Sequence, residues 1–434
     1  MNFSKIMSKI KRIWSYEILD SRATPTIECV CLLESGVLGV YSVPSGASTG
    51  THESLELRDK DETRYRGKGV LKAVQNVNEV IGPSLVLSGI DATKQSEIDA
   101  KLIEMDGTEN KTRLGANSIL SVSGAVCKAA AAEQKIGLYE WINKLAIEKG
   151  IKAKMHIPTA VFNMINGGLH GAGNLDFQEF FLIPASTKSF SEGLRIGAEI
   201  YMVIGQNLAR RGAIHSVGDE GGYAPNLFTN ADALEIMVEA IGQANYQVGR
   251  DVFLGLDVAS NTFYSDGVYT IRDKSAPLNE DSLISYYKEL NNIYHMAILE
   301  DPLYEDAWEG WKKLKSILGS QVSIVGDDLL VTNIKRLEKA IQNDSCNAVL
   351  VKPNQVGTIS ETLDVIKKSY DANWKVMVSH RSGETNDSFI ADFAVGVGSH
   401  YVKFGAPARG ERISKYNRLA AIEKELLYKN ESSK

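Results

Sequence analysis

Six ionisable residues, Asp257, Glu300, Asp327, Lys352, His380 and Lys403, each fall at or near the end of a short apolar run. The gaps between them are 43, 27, 25, 28 and 23 residues. After the first, each gap is about one strand plus one helix long. A single charged residue ending a strand usually marks only the start of a solvated loop. Six at a repeating interval predict side chains gathered in one place, because the parallel strands of a closed barrel end on a common rim. Asp257, Glu300 and Asp327 are three oxygen donors that repel one another unless a cation neutralises them. With no Cys or His among them, Mg²⁺ is the expected ion, and Mn²⁺ is its substitute. Lys352 beside such an ion would give up its proton more readily than an ordinary lysine, which suits a general base. Lys403 on a neighbouring strand would add to that effect or bind an anion.

Other segments supply partners for this chemistry. SVGDEGGYAPN (216–226) sets Asp219 and Glu220 among glycines, and INGGLHGAGN (165–174) does the same for His170. FQEFF (177–181) puts Glu179 in an aromatic setting, where a carboxylate is either paired or raised in pKa, as an acid catalyst requires. SHRSGET (379–385) offers Arg381 and Ser382, and an arginine can hold a phosphate through two parallel hydrogen bonds. VPSGASTGTHES (43–54) is a Gly/Ser/Thr loop whose amides and hydroxyls suit phosphate or metal. It lacks the Gly-Lys-Ser/Thr ending of a phosphate-cradling P-loop, and its expected use is as a lid. A hard cation, a lysine base and a carboxylic acid together point to α,β-elimination of water from a hydroxy acid. The Arg/Ser pair implies that this acid is phosphorylated.

The elements that must position these residues fall into two regimes. IECVCLLES (27–35) and VLGVYSV (37–43) read as a β-hairpin around Gly36, and 70–81, 94–105 and 116–134 carry helical periodicity. This predicts a small α+β domain over 1–145, with the basic stretch 147–154 as linker. From 146 to 434 the chain alternates. Buried strands are predicted at 160–165, 179–184, 252–257, 296–301, 322–328, 347–352, 375–380 and 400–405. Helices are predicted between most of them, as at 308–318, 334–342, 359–370 and 388–398. About eight continuously apolar strands over this length suit a closed α/β barrel. An open doubly wound sheet is the alternative, but no G-x-G-x-x-G follows the first strand.

Composition narrows the setting. A net charge of −6 over 434 residues argues against nucleic acid or an anionic membrane as the main partner. The most apolar stretch, 119–132, is small-residue-rich and broken by Lys128, so it reads as a buried helix and not a membrane span. The basic N-terminal segment lacks a signal-peptide core. With four cysteines, two of them an isolated C-x-C (Cys29, Cys31), the expected location is the reducing cytoplasm.

The segments PSGASTG (44–50), GANSIL (115–120), INGG-x-H (165–170), GDEGGYAPN (218–226), LEDP (299–302), GDDL (326–329), VKPNQVGT (351–358), SHRSGET (379–385) and GAPARGERISKYN (405–417) together resemble the enolase family, over about residues 10–427. The resemblance implies a small N-terminal α+β domain and a modified (β/α)8 barrel that opens with two antiparallel strands. It implies a lyase of glycolysis and gluconeogenesis interconverting 2-phosphoglycerate and phosphoenolpyruvate. It also implies two Mg²⁺ per site and a homodimer, sometimes an octamer. Asp257, Glu300 and Asp327 match the ligands of the first ion, and Ser45 matches the mobile-loop ligand of the second. Lys352 matches the base at C2, Glu220 the acid at the 3-hydroxyl, and Glu179 its support. Lys403 and His380 match substrate-binding positions, Arg381 and Ser382 phosphate contacts, and His170 a closing-loop histidine.

The sequence departs from the family pattern at Tyr16 (usually arginine), Ala23-Thr24 (usually Gly-Asn), Thr262 (usually glutamate), Pro353, and Phe404 (usually small or hydroxyl-bearing). A bulky ring after Lys403 is expected to narrow the pocket. Two other functions are therefore weighed. One is a paralogue dehydrating a related phosphorylated or phosphonate hydroxy acid in a biosynthetic pathway. The other is a non-enzymatic binding or scaffold role at the cell surface or elsewhere, for which the terminal Lys434 offers only weak support.

Overall fold

A computed structural model describes residues 8–46, 52–152, 154–171 and 173–432. Residues 47–51 of the Gly/Ser/Thr loop, the first seven residues and Lys434 lie outside the described residues. The chain divides into two compact units. The first runs to His156 and takes in Val351–Lys367 and Arg381–Gly398; the second holds Ile157–Leu350, Lys368–His380 and Ser399–Lys434.

The first unit is built on an antiparallel sheet of β1 (Ile10–Leu19), β2 (Pro25–Leu33) and β3 (Leu38–Ser42), in that order. β1 has no clean alternation, since charged residues interrupt its apolar ones, and only the β2–β3 hairpin is legible from residue pattern. The helix Ala116–Glu133 packs on β2 and β3 and is buried along almost its whole length. Cys29 and Cys31 are buried within β2 as free thiols, as are Cys127 and Cys346 elsewhere in the chain.

The second unit contains the barrel. Its strands are β4 (Thr159–Asn166), β5 (Glu179–Pro184), β6 (Val252–Asp257), then, past a two-residue ribbon of β7 (Tyr264–Ser265) and β8 (Val268–Tyr269), β9 (Met296–Glu300), β10 (Ser323–Gly326), β11 (Ala348–Val351), β12 (Lys375–Ser379) and β13 (Tyr401–Lys403). The order β4-β5-β6-β9-β10-β11-β12-β13 closes on itself. β5 runs antiparallel to both neighbours, while β6 is parallel to β9 and β13 is parallel to β4. Between strands, helices start on side-chain caps. Ser189, Thr229, Asn279 and Asn333 each accept a hydrogen bond from a first-turn amide, satisfying donors the helix itself cannot. The barrel interior is plugged by Val161, Phe181, Ile183, Ile298, Val325, Ala348, Leu350 and Met377, all buried. Side chains two apart on a strand share a face. Glu300, two beyond Ile298, Lys403, two beyond Tyr401, and Glu179, two before Phe181 on the reversed β5, therefore form the next layer at one end.

Among the described residues, no helix is long and apolar enough to cross a membrane.

Candidate active site

Strand register builds the charged layer. Asn166 pairs with Glu179, Glu179 with Asp257, and Asp257 with Glu300 across four consecutive strands. Asp257 and Glu300 end their strands, whereas Glu179 begins β5. Because β5 is reversed, its first residue reaches the same rim as the last residues of its neighbours. Lys403, ending β13, extends into this layer. Its Nζ lies 2.9 Å from Asp257 Oδ2, 2.8 Å from Glu300 Oε1 and 3.3 Å from Glu179 Oε2. It also sits 5.0 Å from the centre of the Phe181 ring, the top of the apolar plug.

One buried ammonium thus faces three buried carboxylates. Burial alone would lower the Lys403 pKa, but Asp257, Glu179 and Glu300 outweigh it and hold it well above the ordinary lysine value. Burial, then the neighbouring Asp257, pushes Glu300 well above the usual carboxylate range despite Lys403. The second oxygen of Glu300, Oε2, is buried and has no hydrogen-bond partner among the described residues. A buried acceptor left in that state is costly.

Asp327 follows β10 and stands with Asp301 and Asp328, one carboxylate oxygen from each lying within 4.8 Å of the others. Asp257, Glu300 and Asp327 do not form such a close trio among the described residues. Like charges separate, and Lys403 draws Asp257 and Glu300 to itself. Asp301 holds the other end, accepting the Asp327 amide at 2.9 Å and the Asp328 amide at 2.7 Å. Its position is strained, with φ 43°. Residue pattern alone gave no reason to single out Asp301, since its role is to fix a neighbouring loop.

A second cluster adjoins the layer. His170 Nδ1 is 3.2 Å from Glu179 Oε1 and 3.6 Å from Glu220 Oε1. His380 Nε2 is 3.1 Å from Glu220 Oε2. Burial and the nearby Glu220 charge raise Glu179 to about 7, against Lys403 and His170. Burial, reinforced by Arg412, pushes His380 down to about 3 against the pull of Glu220. Glu220 moves the other way. Burial favours its neutral form, but His380, His170 and Arg412 more than offset this and hold it well below the usual range. An imidazole with so low a pKa is neutral at pH 7, whereas the Arg412 guanidinium stays charged beside it. Arg412 is wholly buried, 2.8 Å from His380 Nδ1, and donates to the Asp219 carbonyl at 3.0 Å. It was legible only as part of the GAPARGERISKYN segment. Gly405 permits the approach: its φ is +85°, and a Cβ there would lie 2.6 Å from the Glu220 carbonyl.

The remaining expected residues belong to the first unit. Ser45 is buried, its hydroxyl donates to Asp20, and it exchanges backbone hydrogen bonds with Gly383 at 2.7 and 2.9 Å. A Cβ on Gly383 would fall 2.4 Å from Ser45 Oγ, so this bridge requires glycine. Arg381 donates to Glu53 at 3.0 Å and to Asn354 at 3.1 Å. An anion at Arg381 would share the guanidinium with Glu53. Ser382 is buried and its carbonyl accepts from Ser21 Oγ at 3.4 Å. Lys352 is the residue after β11, with extended backbone (φ −128°, ψ 105°), and Pro353 opens a short helix. Proline suits that first helical position and favours extended geometry in the residue before it, so this departure is accommodated.

Two other departures do not face the charged layer. Phe404 alternates with Lys403 and points the other way, its ring 5.8 Å from Tyr416 of the helix Gly410–Ser432. The expected narrowing of the pocket by this ring is therefore corrected. Thr262 is exposed, and its hydroxyl donates to the Ala259 carbonyl at 2.9 Å, within its own turn.

A closed eight-strand barrel with one reversed strand, a polar layer of acids around a lysine at one end and a small α+β unit earlier in the chain define an α/β-barrel class of protein. Two family models match the chain: Enolase, N-terminal domain, over residues 10–142, and Enolase, C-terminal TIM barrel domain, over residues 154–432. The protein belongs to the enolase family.

Proposed function

We propose that this protein is a Mg²⁺-dependent lyase that interconverts 2-phosphoglycerate and phosphoenolpyruvate by loss and gain of water. The observation that carries the reading is the in-register row Glu179–Asp257–Glu300, with Lys403 among its carboxylates, in a chain of this family. The residues fit a hard divalent cation. Asp257, Glu300 and Asp327 are oxygen donors, and Glu300 Oε2 is a buried acceptor with no hydrogen-bond partner among the described residues. Ser45 would serve a second ion. Bound there, Mg²⁺ supplies positive charge to the substrate carboxylate, which makes the C2 proton more acidic.

The chain's own groups then divide the work. Lys352 Nζ takes the proton from C2. The electron pair forms the C2=C3 double bond, and the C3–O bond breaks. The departing hydroxide takes a proton from the Glu220–His170–Glu179 cluster and leaves as water. Glu179, at about 7, holds that proton near neutrality, and Glu220 passes it on. Lys403 and His380 orient the carboxylate end of the substrate, while Arg381 and Ser382 hold the phosphate. Catalysis of this kind contributes through proximity and proton transfer.

The test is formation of phosphoenolpyruvate followed by ultraviolet absorbance, with Mg²⁺ and with EDTA. Mg²⁺-dependent turnover is expected. Folded protein that binds Mg²⁺ but does not turn over 2-phosphoglycerate would reject this substrate and move the reading to a related hydroxy acid. Lys352→Ala is expected to lower turnover by about 10²–10⁴-fold with thermal stability kept. Wild-type turnover in that variant would remove Lys352 as the base.

A further inference from the structure

The barrel has a second polar end. Below the apolar plug, where β4, β6, β9, β12 and β13 begin and β5 finishes, lies a cavity of about 360 Å³. It is of the size that holds a small organic molecule. Its apolar walls are Ile183, Pro184, Phe253 and Met296, and Ile183 and Phe253 belong to or pack on the plug itself. Lys375, Tyr401 and His295 are among its polar lining residues, with neutral Thr159, Ser186, Asn291 and Gln321.

Lys375 is the informative residue. Its Nζ donates to Ser323 Oγ at 3.0 Å and to Tyr401 Oη at 3.3 Å, and it lies 5.5 Å from the Tyr401 ring centre. It forms no ion pair among the described residues, although acidic side chains outnumber basic ones in the chain. An ammonium has three donors, and two are accounted for. His295 closes the helix Glu280–Tyr294 in left-handed geometry (φ 51°). Its ring nitrogens make no hydrogen bond among the described residues, so it offers the cavity a further donor. The amino end of such a barrel ordinarily serves stability alone. Here it presents an unneutralised cation and polar donors against a hydrocarbon wall.

We propose that this cavity is a second small-molecule site, distinct from the carboxylate layer, that binds an organic monoanion with an apolar or aromatic body. The anion's carboxylate meets Lys375, the Tyr401 hydroxyl and His295, and its body lies on Ile183, Pro184, Phe253 and Met296. A charge-assisted hydrogen bond to the carboxylate fixes orientation, and burial of the body supplies affinity.

The probe is 4-fluorobenzoate, followed by ¹⁹F NMR line broadening on the full-length protein. Saturable binding is expected, undisturbed by 2-phosphoglycerate with Mg²⁺. Lys375→Met keeps the length of the side chain and removes its charge. It is expected to weaken binding about tenfold or more, while Lys375→Arg retains it. Lys375 is solvent-exposed, so all three proteins should share one thermal midpoint. Absence of saturable binding, full affinity in Lys375→Met, or displacement of the probe by 2-phosphoglycerate would each overturn the proposal.

Discussion

At the scale of single residues, Ala23 shows how a departure from the family pattern acts through the backbone. It sits at φ 54° in an exposed turn, a conformation that costs an L-residue roughly 1–2 kcal/mol and glycine little. The turn persists because Asp20 Oδ1 accepts the amides of Arg22 and Thr24, both at 2.8 Å. The other carboxylate oxygen of Asp20 receives Ser45. Ala23→Gly should therefore stabilise the protein, by about 0.5–1 kcal/mol after the added freedom of the unfolded chain is subtracted. Urea unfolding would show it as a higher midpoint at unchanged slope; a lower midpoint would mean that the strain is relieved elsewhere. Asp301 gives the opposite case. Asp301→Ala takes an acceptor from two amides of the loop that carries Asp327, and should cost about 1–3 kcal/mol. Equilibrium unfolding of the variant checks this, and a loss below a few tenths would show that other acceptors serve those amides. The types of Asp257, Glu300 and Lys403 were legible in sequence because each ends an apolar run. Their mutual ion pairing was not, because it depends on which side chain lies across the barrel.

At the scale of elements, spacing reveals existence better than direction. The apolar runs 179–184 and 252–257 coincide with β5 and β6, since continuous burial on both faces leaves an unbroken apolar stretch. That β5 is reversed cannot be read from such a run, and the connection from Asn166 to Glu179 is long enough for either direction; only the family resemblance implied it. β1 escaped because its charges break the alternation. Helix placement carries its own test. Asp99, buried in the helix Gln95–Asp106, accepts the amide and hydroxyl of Ser360 at 2.9 and 2.6 Å, at the start of the helix Ile359–Asp371. Burial raises its pKa, against the hydrogen bonds of Ser360 and Ser123. An acid raised in the folded state contributes stability that is fully present below its unfolded pKa of about 3.9. That contribution is lost as pH rises through the folded value. The stability advantage of wild type over Asp99→Asn should thus be largest in acid and shrink toward pH 7. Paired denaturation curves across that range would reveal it, and a constant or growing difference would contradict the direction of the shift.

At the scale of the whole molecule, the placement of the acids determines which part of the chain a metal stabilises. Asp257, Glu300 and Asp327 all lie in the barrel unit, although the chain enters and leaves that unit several times. A ligand that binds only the folded state raises its stability by mass action, about 2.7 kcal/mol at a hundred times its Kd. Mg²⁺ should accordingly raise the thermal midpoint of the transition in which the barrel melts, by a few degrees, and EDTA should return it. If the two units melt separately, only one transition should move, because linkage acts on the cooperative unit that holds the site. Glu300→Gln keeps shape and burial but removes a negative charge and turns an acceptor into a donor. It should abolish the Mg²⁺-dependent rise, with a metal-free midpoint that need not fall, because the substitution also relieves repulsion among Glu179, Asp257 and Glu300. A Mg²⁺ response of full size in Glu300→Gln would place the ion elsewhere. The neighbouring trio Asp301, Asp327 and Asp328 would then be the group to substitute.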